Sequence, residues 1–286
     1  MAPANGLTAP AKLTVSLRVV GRRPDGYHLL AAEMVTLDLA DRLWFDPDGD
    51  GLAVTADDGL RAGDLSVGPD NLVNRALSAV GRRAGVRLHK RIPVQGGLGG
   101  GSADAAAVLR WAGCTDSGVA ARLGSDVPFC VVGGRAMVSG LGEQVDPLPF
   151  RPQSFVLLLP PFGVDTAAVY RAWDRMAGDM GTGHVAAGGD GGTPAAGSGG
   201  ADRGLNDLAA PAMAVEPRLA LWRDRLREVT GREPVLAGSG STWFVDGDAA
   251  VAAVDGREWL DAGADRARII TARAVPAGWE GGPAPS

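Results

Sequence analysis

The sequence predicts an α+β fold built on a mixed sheet, and three observations point to it. "KLTVSLRVV" and, after the polar turn "GRRPDGYH", "EMVTLDLADRLWFDP" alternate apolar and polar residues as half-buried strands do. "DNLVNRALSAVGRRAGV" instead carries Leu72, Ala76 and Val80 with Val73 and Leu77 on one helical face, and Asp70 or Asn71 can cap its start. "VRLHKRIP" returns to strand character and runs into a glycine loop and an alanine-rich helix. The order β, β, α, β, loop, α is not a strict βαβ alternation, so a mixed sheet is expected in place of a doubly wound parallel one.

Bulk composition narrows the class. A chain of 286 residues, 45% hydrophobic and 21% charged, has the length for about two domains with buried cores. The formal net charge of −5 argues against a general nucleic-acid or membrane-surface binder, which normally presents a basic face to phosphate. Any anionic ligand must then be held by local geometry. Cys114 and Cys130 have no metal-type spacing and read as free thiols. The start "MAPANGLTAPAKLTV" lacks a basic region and a sustained apolar run, and no stretch reaches the length of a membrane helix. The expectation is a cytoplasmic protein, monomeric or weakly dimeric, with no nucleic-acid or membrane partner.

Further along, "SFVLLLPP" reads as a buried strand opening a new unit, and "TAAVYRAWDRM" as a helix. A boundary at 149–152 divides the chain into 1–150 and 151–275. Residues 178–204 hold so few large apolar groups that a disordered insertion is expected there. "PRLALWRDRLREVTG" follows as a helix, "PVLAGSGSTWFV" as strand, glycine turn and strand, and 276–286 as a frayed tail.

Chemistry concentrates in "PVQGGLGGGSADAAAVLR", which places Gly96, Gly97, Gly99, Gly100 and Gly101 around Leu98 before the helix. Backbone N–H groups without Cβ atoms beside them can curl around an anion, and the start of the helix adds its positive end, so the assembly suits phosphate. No Gly-Lys-[Ser/Thr] ends the loop and no βαβ unit surrounds it, which excludes the two commonest phosphate loops. Ser102 can be an N-cap, a magnesium ligand, or both.

This loop resembles that of the galactokinase, homoserine kinase, mevalonate kinase and phosphomevalonate kinase superfamily. With "PAKLTVSLRVVGRRPDGYHLL", "LGSDVPF" and "LAGSGSTWFV", the chain is similar in order to the signature blocks of the 4-diphosphocytidyl-2-C-methyl-D-erythritol kinase family. The resemblance implies an N-terminal domain like ribosomal protein S5 and a ferredoxin-like C-terminal domain. It also implies ATP with Mg2+, and a cytidine-diphosphate alcohol as the small-molecule partner. Lys12 and Asp126 match the family's catalytic pair. A carboxylate to take the hydroxyl proton and an ammonium to steady the transferred phosphoryl are what this chemistry needs.

Pro93, Val94, Gln95, Gly96, Gly97, Leu98, Gly99, Gly100, Gly101, Ser102 and Ala103 match the ATP-binding segment, with Asn71 near the nucleotide or simply a helix cap. Tyr27 and His28 match the cytidine-binding pair, Tyr170 a second aromatic face, and Thr166 a substrate contact; a tyrosine beside Val169 and Trp173 also suits a core. Gly238, Ser239 and Gly240 match a glycine turn that approaches the substrate. Thr14 stands where the family usually has Asn, and the segment between Trp111 and Leu123 is shorter than in the family. Two alternatives stay open: a kinase for another small alcohol of the homoserine or mevalonate type, and an inactive nucleotide-binding regulator, the latter prompted by those departures.

Overall fold

The computed structural model describes residues 6–57, 65–94, 96–179 and 205–282. Two long antiparallel strands, β1 (Leu7–Arg22) and β2 (His28–Asp46), frame the molecule. In β1 the apolar Ala9, Ala11 and Leu13 are fully buried, and the neighbouring polar Thr8, Lys12 and Thr14 are nearly so. The β1–β2 register breaks between Pro10 and Lys12 and again between Thr14 and Ser16. Such breaks bend a strand and re-aim its side chains. At the first of them Lys12 donates its backbone N–H to Leu98 O at 3.0 Å, tying the strand to the glycine loop.

The sheet is mixed, as the sequence predicts. β3 (Leu52–Ala56) runs parallel to β4 (Gly85–Lys90), β4 runs antiparallel to β2, and β5 (Arg135–Gly140) pairs with both β2 and β6 (Gln144–Leu148). The later strands are β7 (Ser154–Leu159), β8 (Val235–Leu236), β9 (Trp243–Asp246), β10 (Trp259–Ala262) and β11 (Asp265–Val275). β11 pairs with β7 through Arg273 and then with β2 at Ala274 and Val275, making one eleven-stranded sheet of the two halves.

Helices cover this sheet. α1 (Leu72–Ala79) starts where the Asn71 side chain accepts Val73 N–H at 2.9 Å. α2 (Gly100–Trp111) is buried from Ala103 through Leu109, and its alanines let α1, β1 and α4 (Val127–Val132) approach closely. α3 (Ser117–Leu123) precedes α4; α5 (Thr166–Asp179), α6 (Ala209–Val215), α7 (Arg218–Thr230) and α8 (Asp248–Ala253) belong to the second half. No helix among the described residues is long and apolar enough to cross a membrane.

Two boundaries differ from expectation. Gly178 and Asp179 continue α5, so the insertion expected at 178–204 starts later; its other residues, 180–204, lie outside the described residues. The tail expected to fray from 276 is docked as far as Gly281. Thr8 donates its hydroxyl to Glu280 O at 2.7 Å, and Ala277 lies so close to Gly134 that a Cβ there would meet its nitrogen at 2.9 Å.

Beneath the glycine loop lies an ion cluster that local sequence does not announce. Lys90 follows Val86 and Leu88 on the inward register of β4 and reaches Asp41 and, at 2.8 Å, Asp104 Oδ2. Asp41 Oδ1 also accepts the N–H groups of Arg91 at 2.6 Å and Ile92 at 2.8 Å. The residue before the loop is thus joined to the second turn of the helix after it. Burial opposes the Lys90 ammonium, yet the charges of Asp104 and Asp41 hold its pKa above the ordinary value. Burial pushes the Asp104 carboxyl up to about 8 against the pull of Lys90, with the charge of Asp41 adding to the rise.

An unfolded chain releases the Asp104 proton near its ordinary 3.8, whereas the folded chain keeps it to about 8. In that window the folded state binds more protons, so the group's contribution to stability falls as pH rises. Asp104→Asn cannot ionise. Urea midpoints at about pH 5 and about pH 8 should therefore differ less in Asp104→Asn than in the wild type; equal differences would contradict this account of the cluster.

Candidate active site

Lys12 Nζ stands 3.2 Å from Asp126 Oδ2, with side-chain exposures of 7% and 27%. A buried ammonium needs a partner, and Asp126 is available because of where it sits. It occupies the N-cap position of α4 but has helical backbone angles, and its carboxylate caps no N–H. Pro128 follows in the first turn, where its missing donor costs nothing. Thr14 Oγ1 accepts from Lys12 Nζ at 3.3 Å, so the residue at the departure from the family pattern touches the pair.

The glycine loop meets this pair edge-on. Gly99 has a φ of +70°, and a Cβ there would lie 2.7 Å from Lys12 Cγ, so only glycine lets the loop rest on the lysine stem. At Gly97, also at +70°, a Cβ would lie 2.8 Å from Gly240 O. Leu98 anchors the loop in the core, and Thr242 donates its hydroxyl to Gly96 O. Asn206 in turn donates to Leu236 O at 2.7 Å and Gly238 O at 2.6 Å, which fixes the turn that faces the loop.

Gly97 and Gly99 border two cavities. One, of about 280 Å³, lies on the α1 side and is lined by Asn71, Pro93, Val94, Gly100 and Gly101. The other is a cleft of about 700 Å³ that brings Lys12, Thr14 and Asp126 together with Thr166, Tyr170 and the 238–240 turn. Thr166 Oγ1 and Ser239 Oγ are hydrogen-bonded at 2.8 Å across it. The phosphate-suited loop is therefore the partition between a smaller and a larger chamber.

Several expected residues stand differently. Ala103 is buried and donates its N–H to Gly99 O at 2.8 Å, closing the first turn of α2 instead of facing either chamber. Gln95 lies outside the described residues. Asn71 both caps α1 and lines the smaller chamber. Tyr27 is 63% exposed on the β1–β2 turn and makes no ring contact with Tyr170. The ring against Tyr170 is His28, stacked with centroids 4.8 Å apart, and its Nε2 is 2.7 Å from Asp174. Sequence reading missed Asp174, although Thr166, Tyr170 and Asp174 fall four apart on α5, the spacing of one helical face.

The charge of Asp126 extends through the cleft. Burial first, and then Asp126, pushes the Tyr170 phenol up to about 12, and the same two causes in the same order push the Cys130 thiol up to about 12. Tyr170 therefore stays a hydrogen-bond donor at neutral pH, and Cys130 stays a thiol. Among the described residues no group of three or more His, Cys, Asp or Glu is placed to hold a metal.

A glycine cradle at a helix start, opening onto a paired carboxylate and ammonium, defines an ATP-dependent kinase of small alcohols. Residues 71–134 match the family model described as the GHMP kinases N terminal domain. A 4-diphosphocytidyl-2-C-methyl-D-erythritol kinase of Pelotomaculum thermopropionicum is 40% identical over 257 residues, covering 82% of this chain and 86% of the relative. One from Paracoccus denitrificans is 40% identical over 237 residues, with 82% and 84% covered. A crystal structure of 4-(cytidine 5'-diphospho)-2C-methyl-D-erythritol kinase superposes with a TM-score of 0.68 at 32% identity, covering 93% of this chain and 97% of that one. A putative homoserine kinase from Listeria monocytogenes, at 14% identity and a TM-score of 0.53, shares the fold. The chain belongs to the 4-diphosphocytidyl-2-C-methyl-D-erythritol kinase family.

Gly99→Ala should push the Lys12 stem aside and lower kcat by about 10²-fold, the scale of a 1 Å misplacement. Steady-state kinetics beside a melting curve check this; a folded variant with kcat within about twofold of wild type would show that the close contact is not needed.

Proposed function

We propose that this enzyme transfers the terminal phosphoryl group of ATP to the 2-hydroxyl of 4-diphosphocytidyl-2-C-methyl-D-erythritol, in the non-mevalonate route to isoprenoids. The observation that carries this reading is the Lys12–Asp126 contact at 3.2 Å on the cleft side of the glycine loop. ATP occupies the smaller chamber, with Asn71, Pro93 and Val94 beside the nucleoside and the amides of 96–101 around its phosphates. The nucleotide thus falls to the 1–150 half, and most of the acceptor's contacts to the 151–275 half.

In the reaction the 2-hydroxyl oxygen bonds to the γ-phosphorus as the bond from phosphorus to the β,γ-bridging oxygen breaks. ADP leaves with that electron pair, and the hydroxyl proton passes to Asp126. Lys12 pairs with the carboxylate before transfer and faces the charge that builds on the phosphoryl oxygens. Thr14 steadies the lysine. Ser102, on the first turn of α2, suits a Mg2+ ion shared with the phosphates, which would neutralise phosphoryl charge. Thr166, Ser239 and the backbone of Gly238 and Gly240 contact the acceptor. The cytosine stacks on the exposed Tyr27 and is read by His28, while Tyr170 backs the histidine.

Asp126→Asn keeps the shape of the site and removes the proton acceptor. With Mg-ATP and the cytidine substrate in a coupled ADP assay, kcat should fall by about 10²- to 10⁴-fold with little change in the KM for ATP. Wild-type enzyme that forms ADP with homoserine or mevalonate and not with the cytidine substrate would overturn the substrate assignment.

A further inference from the structure

We propose that Asp174 sets the base preference of the acceptor site by fixing the orientation and tautomer of His28; this rests on the cytidine reading above. Asp174 lies one helical turn beyond Tyr170 on α5, with Thr166 one turn before, so the three residues form a stripe on the helix whose first two members line the acceptor cleft. Its Oδ1 is 2.7 Å from His28 Nε2. With Nε2 donating to this carboxylate, Nδ1 of the neutral imidazole is left as an acceptor. No hydrogen bond to Nδ1 occurs among the described residues.

The ring has little room to turn. His28 is stacked on Tyr170 at 4.8 Å, meets the Trp173 ring edge-on at 5.3 Å, and has a side-chain exposure of 9%. The other oxygen of Asp174 lies 3.6 Å from Arg22 Nη1, and Arg22 donates from Nε to Gly26 O at 3.1 Å. One carboxylate therefore joins α5 to both flanks of the turn that carries Tyr27.

A fixed acceptor distinguishes the two common pyrimidines. Cytosine offers a donor, its exocyclic amino group, where uracil offers a carbonyl oxygen. Nδ1 accepts from the first and repels the second, whose lone pairs would face its own. Without Asp174 the imidazole can shift its proton between the two nitrogens, presenting N–H as readily as a lone pair, and the distinction fades. Asp174 is thus a positioning residue that acts through His28.

The test compares wild type, Asp174→Ala and Asp174→Asn on the cytidine substrate and on its uridine-linked counterpart. In Asp174→Ala the cytidine-over-uridine ratio of kcat/KM should fall about tenfold, the scale of one lost hydrogen bond. The loss should arise in the KM for the cytidine substrate, with the KM for ATP unchanged. Asp174→Asn, whose amide oxygen can still accept from Nε2, should recover part of it. A ratio within about twofold of wild type in both variants, or an equal loss on both substrates, would overturn the proposal while leaving the cytidine assignment intact. Wild-type enzyme that phosphorylates neither substrate would overturn both.

Discussion

The structure depends on one constraint: an ammonium group, that of Lys12, is held almost out of water near the middle of β1. Its side chain is 7% exposed, and burying such a charge unpaired would cost several kcal/mol. Asp126 supplies the counter-charge from a position that leaves its carboxylate unspent, and Thr14 supplies a second acceptor. Strand bulges on either side of Lys12 aim it, and a loop glycine without a Cβ makes space for its stem. The arrangement that satisfies the lysine also prepares a base beside a cation, which is the equipment for moving a phosphoryl group onto a hydroxyl.

The rest of the fold serves to keep the glycine loop in place as a partition. A run of five glycines in six positions is entropically expensive to order, and nothing within the run can order it. Order comes from outside: Leu98 in the core, the Lys12 amide on its carbonyl, Thr242 on Gly96, and the Asp41–Lys90–Asp104 cluster joining the segments on either side. With the loop fixed, its amides can turn toward an anion without reorganising when one arrives, which is where a preorganised site gains over water.

How much of this was legible in the sequence follows from the range of the interactions involved. Strand alternation, the α1 face and the glycine run are local patterns, and each gave its element in the right order. Lys12 and Asp126 carry no local signal that marks them as partners; the quoted blocks, taken together, singled them out. Long-range side-chain pairing escaped. His28 and Asp174 are 146 residues apart, and no window holds both, although the four-residue spacing from Thr166 could have drawn attention to the second. Lys90 was hidden in a strand read only for its apolar partners. The tail was expected to fray as chain ends do, yet a hydroxyl from Thr8 and a glycine cleft at Gly134 hold it.

The most direct test is a crystal structure with a non-hydrolysable ATP analogue. The account predicts the triphosphate across the loop, oxygens within about 3 Å of amides in 96–101, and the terminal phosphorus on the Lys12 side facing Asp126. A triphosphate bound away from the loop, or one whose terminal group points back into the α1-side chamber, would contradict it.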